Sequence, residues 1–516
     1  MISRRKILKG GAAAAVIASV PFINIRRAFA QSALPFDYFI SPKGDDNNAG
    51  SLASPWSITA LNSKMSTYSG KRVGIIGDIG GVQTPITYGT VGGVQKSLLA
   101  VSNAAGNNQP ALNVNGGSSA ASTYLASCNS AGVYTPRLAI IDFGNPTSQG
   151  LAMGQNNDGS TQVPNPGYLT YDALTIRNFA YGAIAFENAG GAVLQKCVVQ
   201  NCEIYNGNGA NNVPSNNNPG AIRLSNTFGA VIHNNKVHDL HTSPGGADPQ
   251  WGYSALMTYG TEGAAIGLVV TNNTFYNCSA ILTKDHNTDF ANCSYNYLDH
   301  GIFGSAGAGG DLDAGAITGH TPFTGVTSVI HHNIMLAGLE EHPQSGTPLI
   351  TGTTKFYNNT LFGTPAYGSN FDAVYCSSPG PAGAALQFYR NIVYAMGGYN
   401  TSAGAIWVKT GYSIANATFN YNVYGSNGTP LNFALTEYSP LSLASWKSTT
   451  GCDQNSVQVA TAPFLATPTA QVPSSFAVTS AAVIGGITCG ALDGSGLVGC
   501  DFAGTLVPAA PSLKVT

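Results

Sequence analysis

Short runs of alternating apolar and polar residues fill this chain, and a six-residue pattern keeps interrupting them. It reads Val270-Thr271-Asn272-Asn273-Thr274-Phe275, Ile232-His233-Asn234-Asn235-Lys236-Val237, Phe356-Tyr357-Asn358-Asn359-Thr360-Leu361, Phe388-Tyr389-Arg390-Asn391-Ile392-Val393 and Phe419-Asn420-Tyr421-Asn422-Val423-Tyr424. Weaker copies fall at Asp172, Cys202, Asn296 and Asn333, and successive copies lie 23 to 38 residues apart. A fixed pattern at variable spacing describes one structural unit carrying loops of different length. An apolar residue, a polar pair rich in Asn, then a β-branched or aromatic residue describes a strand, a tight turn and a new strand. Asn suits that turn because it tolerates left-handed backbone and bonds its own main chain. Stacked coil upon coil, the amides can bond one another in a ladder. The pattern predicts an all-β chain folded as a right-handed parallel β-helix, the hand following from the bias of parallel crossovers.

Composition extends this picture to most of the 516 residues. Charged residues are only 9%, against the usual quarter for a globular domain, so Asn, Ser, Thr and Tyr supply the solvated polar groups. No charge run or Pro-rich linker divides the chain, and helical periodicity is confined to a short stretch from Trp56 to Met65. The reading is one solenoid: a leader over 1–30, an N-terminal strand and cap over 31–70, the β-helix over 71–430 and a closing segment over 431–516.

The leader is an address. Ser3-Arg4-Arg5-Lys6-Ile7-Leu8-Lys9 precedes an apolar run from Gly10 to Ile25, and Ala28-Phe29-Ala30 is a small-residue cleavage site. The segment resembles a bacterial twin-arginine export signal, which implies a periplasmic or extracellular protein starting at Gln31, with no membrane anchor after cleavage. Its removal takes six of the 22 Lys and Arg and no acid, so 16 bases face 24 acids, a net charge of −8. That sign excludes a general phosphate field and hence nucleic acid as a partner. No Cys-x-x-Cys pair occurs among the nine cysteines, so no metal centre is expected from them. Cys489 and Cys500 bracket a glycine-rich loop and are candidates for a disulfide, while Cys202 and Cys293 read as small buried fillers.

Aligning the strand after each turn yields a second column. It reads Gly182-Ala183-Ile184-Ala185-Phe186-Glu187, Gly220-Ala221-Ile222-Arg223-Leu224-Ser225, Ser254-Ala255-Leu256-Met257-Thr258-Tyr259, Ser279-Ala280-Ile281-Leu282-Thr283-Lys284 and Gly315-Ala316-Ile317-Thr318-Gly319-His320. Alternation sends Ile184, Ile222, Leu256, Ile281 and Ile317 inward and predicts that Glu187, Ser225, Tyr259, Lys284 and His320 share one solvent-facing line with Arg223 beside it. Uneven loops wall this line: Asn206–Pro219, His238–Trp251 and Asp299–Asp313 are long, and the link before Lys284 is short. Trp251 offers a face for a sugar ring, and His238, His241 and His286 offer polar contacts on loops.

Two flanking segments carry a family resemblance. Tyr38-Phe39-Ile40-Ser41-Pro42-Lys43-Gly44-Asp45-Asp46-Asn47-Asn48-Ala49-Gly50, followed by Ser54-Pro55-Trp56, resembles the opening of secreted right-handed β-helix proteins of the pectate-lyase-like, polysaccharide-active superfamily. Leu443-Ala444-Ser445-Trp446 with Gly451-Cys452-Asp453 and Pro463-Phe464 resembles their closing segment. The resemblance implies a polysaccharide substrate and leaves the chemistry open, since the superfamily holds lyases, hydrolases, epimerases and inert adhesins. Calcium is a candidate ligand of the Gly44–Gly50 turn with its two acids, beside the alternative of an ordinary Asx turn.

The chemistry best matched by the column is β-elimination at a uronic acid. That step needs a base at C5, a cation facing the carboxylate and an acid for the leaving oxygen. Lys284 is the candidate base, Tyr259 the acid, and His320 and Arg223 face the carboxylate, Arg223 in bidentate fashion; Glu187 completes the substrate floor. Hydrolysis needs two carboxylates, and the chain has Asn287-Thr288-Asp289 without the Asp-Asp and Gly-His-Gly runs that accompany it in β-helix polygalacturonases. A glycosidase using Glu187 with Asp285 or the loop acids, and a non-catalytic glycan-binding or surface protein, stand as the alternatives.

Overall fold

Asn234 holds a left-handed φ of 53°, and with Asn235 it turns the strand Val231–His233 into the strand Lys236–His238. The computed structural model describes residues 35–88, 90–91, 94–95, 110–144, 151–156, 163–187, 193–207, 219–240, 253–258, 265–283, 288–299, 315–320, 326–336, 338–341, 352–363, 372–376, 385–396, 404–408, 412–427, 431–435, 440–460, 462–464, 467–468, 473–476, 499–500 and 506–507. The same turn recurs with φ between 53° and 58° at Asn201, Asn272, Tyr295, His332, Asn358, Arg390 and Tyr421.

The residue after each turn forms the ladder. The backbone N–H of Asn235 donates to Oδ1 of Asn273 at 2.9 Å, and the step repeats through Asn296, Asn333, Asn359, Asn391 and Asn422. Each Nδ2 also donates to a main-chain carbonyl, as Asn296 does to Val270 at 2.8 Å. These buried amides are therefore bonded at both ends, as burial requires. The Cys202 N–H begins the ladder on Asn235, and Asp453 ends it by accepting from Asn422 Nδ2 at 3.0 Å. The weak copy at Asp172 is displaced by two residues. The left-handed turn there is at Ala173, and Leu174 is the residue in line, since its carbonyl accepts the Glu203 N–H.

Each coil gives one strand to each of three long sheets, of 14, 12 and 12 strands among the described residues. Strands follow one another in chain order across each sheet, and neighbouring coils pair in parallel, as Val231–His233 does with Val269–Thr271. This is a parallel β-helix. The first sheet ends in strands such as Val231–His233, the second follows the Asn turn with strands such as Lys236–His238, and the third holds strands such as Ser254–Thr258. One apolar core fills the bore, with Phe356 and Phe388 stacked at 5.2 Å.

Both ends are closed by short helices. Ala60–Ser63 and Met65–Tyr68 cover the first coils, and the buried Tyr68 hydroxyl donates to the Leu61 carbonyl at 2.6 Å. At the other end Leu443–Thr450 starts on the Ser442 side chain and stops at Gly451. Its Trp446 is buried against Phe433 and Phe419, and Trp446 Nε1 donates to Asp453 Oδ2 at 3.0 Å. Outside the bore, Phe464 and Phe476 cover the second sheet at Phe362 and Tyr394.

Cys202 and Cys293 are buried thiols. Cys489 and the leader lie outside the described residues. No helix among the described residues is long and apolar enough to cross a membrane.

Candidate functional site

The third sheet aligns the residues of the second sequence column. Ile184 lies opposite Ile222, Ile222 opposite Leu256, Leu256 opposite Ile281 and Ile281 opposite Ile317. The pairing steps over the Ala before each, and Ala183, Ala221, Ala255 and Ala316 are buried in the core with their Ile or Leu neighbours. Two consecutive residues on the core side interrupt the alternation, and the first of each pair is an alanine.

Outward positions next to those pairs form a line of their own: Ala185 faces Arg223, Arg223 faces Met257, and Met257 faces Leu282. Two of the groups expected to face solvent are buried. Glu187 and Arg223 are each 1% exposed, and Arg223 Nε lies 2.5 Å from Glu187 Oε1. The cause is local cover. Tyr181 packs with Leu151 and Ala185 on this outer face, its ring 4.4 Å from the guanidinium carbon, and Arg223 Nη1 lies 3.3 Å from Met257 Sδ. The arginine stem runs over Gly182, where an added Cβ would stand 2.9 Å from Arg223 Cδ. Tyr253 closes the neighbourhood, its hydroxyl donating to the Ala180 carbonyl at 2.8 Å. Burial raises the Tyr181 phenol above its ordinary pKa, with Arg223 pulling it down and Glu187 pushing it up.

Further along the same sheet, Thr258 lies opposite Thr283. Thr258 is buried and its hydroxyl is 2.6 Å from that of Thr288. Thr258 and Thr283 are the residues just before Tyr259 and Lys284 in the sequence. Tyr259 and Lys284 themselves, with Trp251, His241 and His286, lie outside the described residues. His320 ends the strand Gly315–His320 and pairs with Glu341 after a register shift.

His238 is on the second sheet and not with the third-sheet column. It is stacked between Tyr205, at 5.2 Å and 6°, and Tyr276, at 4.7 Å and 5°. Its Nδ1 is 2.7 Å from Asp239 Oδ2 and its Nε2 3.2 Å from Glu203 Oε1, and Lys236 Nζ is 2.8 Å from that same oxygen. The bond to His238, with Lys236 beside it, lowers the Glu203 carboxyl to about 2. Arg177 continues the line, opposite Tyr205 and 2.8 Å from Asp142. This polar ladder was missed in the sequence. Its signal is the third residue after each turn: Arg177, Tyr205, His238 and Tyr276.

The Gly44–Gly50 turn does not fit calcium. Asp45 Oδ1 accepts from the Asn47 N–H at 2.9 Å, an Asx turn, and Asp46 accepts hydroxyls from Ser57 and Thr59. Both acids serve the fold, and among the described residues no group of three or more His, Cys, Asp or Glu is placed to hold a metal.

No protein-family model and no curated protein matches the chain. Among solved structures it is similar to the pectate lyase Pel9A, at 10% identity over 94% of this chain and 97% of that one, with a TM-score of 0.43. It is also similar to a rhamnogalacturonan lyase, at 12% identity over 88% and 99% with a TM-score of 0.43. A lacto-N-biosidase of family GH136 from Eubacterium ramulus shares 12% identity over 82% and 66%, with a TM-score of 0.37. Likeness of this degree assigns no activity.

Proposed function

We propose that this chain is an exported enzyme that cleaves a uronic-acid-containing polysaccharide by β-elimination on the outer face of the third sheet. One observation carries the reading: Thr258 lies opposite Thr283. In the sequence, Tyr259 and Lys284 each follow these threonines by one residue, and neighbouring coils are spaced about 4.8 Å, the scale of one sugar ring. On this reading Lys284 takes the proton from C5, the bond from C4 to the bridging oxygen breaks, and a C4–C5 double bond forms. Tyr259 gives its proton to the leaving oxygen. His320 faces the carboxylate.

Arg223 takes a changed part. Buried against Glu187, it acts from beneath the floor as a positioning residue and does not touch the substrate. The same pair argues against Glu187 as a hydrolytic acid, because a buried carboxylate turned onto Arg223 does not reach a glycosidic oxygen. Export rests on Arg4, Arg5 and the small-residue site at Ala28 and Ala30; Lys at both arginines is expected to leave precursor in the cytoplasm.

A panel of acidic and neutral polysaccharides tests the reading. Unsaturated product from a polyuronate, seen by its ultraviolet absorbance, is the expected result, and release of saturated ends alone would overturn the elimination chemistry.

A further inference from the structure

The left-handed turn position is filled in the earlier coils by Asn201, Asn234 and Asn272, which adopt it readily. In four of the five later coils it carries Tyr295, His332, Arg390 and Tyr421, at φ between 54° and 58°, and Asn358 keeps it in the fifth. Bulky side chains are disfavoured there, and strain retained in four of five coils points to a use for the side chains themselves. Tyr421 is 37% exposed, Tyr295 and Arg390 are half-buried, and the Arg390 guanidinium lies 5.2 Å from the centre of the Tyr421 ring.

The position just before the turn adds to this corner. His331 lies opposite Tyr357, and Tyr357 opposite Tyr389, with the first two rings stacked at 5.0 Å and 8°. Charge is one-sided as well. The first-sheet strands Thr327–His331, Thr353–Tyr357, Ala385–Tyr389 and Ala417–Asn420 and their turns contain Lys355 and Arg390 but no Asp or Glu. This occurs in a chain with 24 acids against 22 bases.

We propose that this corner is a second glycan-contact surface, which takes an acidic polysaccharide laid along the axis of the solenoid. Across successive coils Tyr295, His331, Tyr357, Arg390 and Tyr421 present an aromatic ring or a cation, at a coil spacing of about 4.8 Å. The amphipathic tyrosines suit the apolar faces and hydroxyls of sugar rings, and Arg390 and Lys355 suit the carboxylates. The surface lies away from the third sheet, and the inference does not rest on the cleavage reading.

The test uses the full chain with Lys284→Ala as background, so that binding is measured without turnover under the reading above. Retardation in native gels containing polygalacturonate, with dextran as the neutral control, reads the affinity. Arg390→Asn and Tyr421→Asn place at the turn the residue its backbone prefers, so the double variant should melt no lower than its parent. Its polygalacturonate affinity should fall about tenfold, the scale of one or two interface hot spots, with weak dextran binding throughout. Unchanged retardation in a folded double variant overturns the proposal. So does equal retardation by dextran, or a change of oligomeric state without glycan, which would mark a surface for a second copy. Retardation without any unsaturated product from the wild-type chain would sink the cleavage reading and leave this one standing.

Discussion

Arg223 and Glu187 form an ion pair, Nε to Oε1 at 2.5 Å, on the outer face of a sheet where neither side chain exceeds 2% exposure. In a chain that is only 9% charged, two charges withdrawn from water stand out. A buried pair is weak evidence for stability, since desolvation offsets much of the attraction. Removing one member is a different matter. Arg223→Ala takes the cation from a buried carboxylate and should lower stability by roughly 3–5 kcal/mol, whereas Arg223→Met with Glu187→Leu should recover most of the loss. Denaturant unfolding of the three variants checks this. A single variant within about 0.5 kcal/mol of wild type would show that the pair is hydrated in solution.

The Asn ladder should behave as a chain of shared bonds. Asn333 receives the Asn296 N–H and gives its own Nδ2 to Asn359. Asn333→Ala leaves buried donors and acceptors on both neighbours, at about 1–3 kcal/mol for each stranded group. Thermal unfolding should show a loss of several kcal/mol. Asn455→Ala, on the exposed side of the last turn, should change little.

Acid should destabilise the fold well before carboxylates are fully protonated. Burial lowers His233 and His332 to about 4 and His331 to about 3, against an ordinary value near 6.5. Below about pH 6.5 the unfolded chain binds protons that the folded chain refuses, so stability falls as pH drops toward 4. Each histidine adds a slope of up to about 1.4 kcal/mol per pH unit in that window. Glu203, lowered to about 2 by His238 and Lys236, extends the loss below its unfolded value near 4.3. Melting temperatures from pH 7 to pH 4 should decline steadily, and His332→Asn should flatten the decline. A flat profile for the wild type would mean that the His331–His332 contact, Nδ1 to Nδ1 at 2.6 Å, opens to water.

What was legible in the sequence, and what was not, divides along physical lines. The turn was legible because left-handed backbone and a two-ended amide both select Asn, as at Asn234 and Asn235. Register on the third sheet was legible because an alanine (Ala183, Ala221, Ala255) recurs before each inward Ile or Leu. Exposure was not. Alternation says which side of a sheet Glu187 and Arg223 occupy, and only the packing of Tyr181, Leu151 and Met257 says that this side is covered. The coil at Asp172 was misaligned because Ala173 takes the left-handed position that Asn marks elsewhere. The second-sheet line through Tyr205, His238 and Tyr276 escaped notice because three-residue strands are too short to show alternation.

On the proposed reading, the third-sheet face breaks a glycosidic bond by elimination, with Lys284 as base. Digestion of a polyuronate in heavy-oxygen water, followed by mass analysis of the new chain ends, tests it most directly. Elimination adds no water, so the wild type should give unsaturated ends free of heavy oxygen and a folded Lys284→Ala variant no new ends. Saturated ends carrying heavy oxygen, or undiminished cleavage by Lys284→Ala, would contradict it.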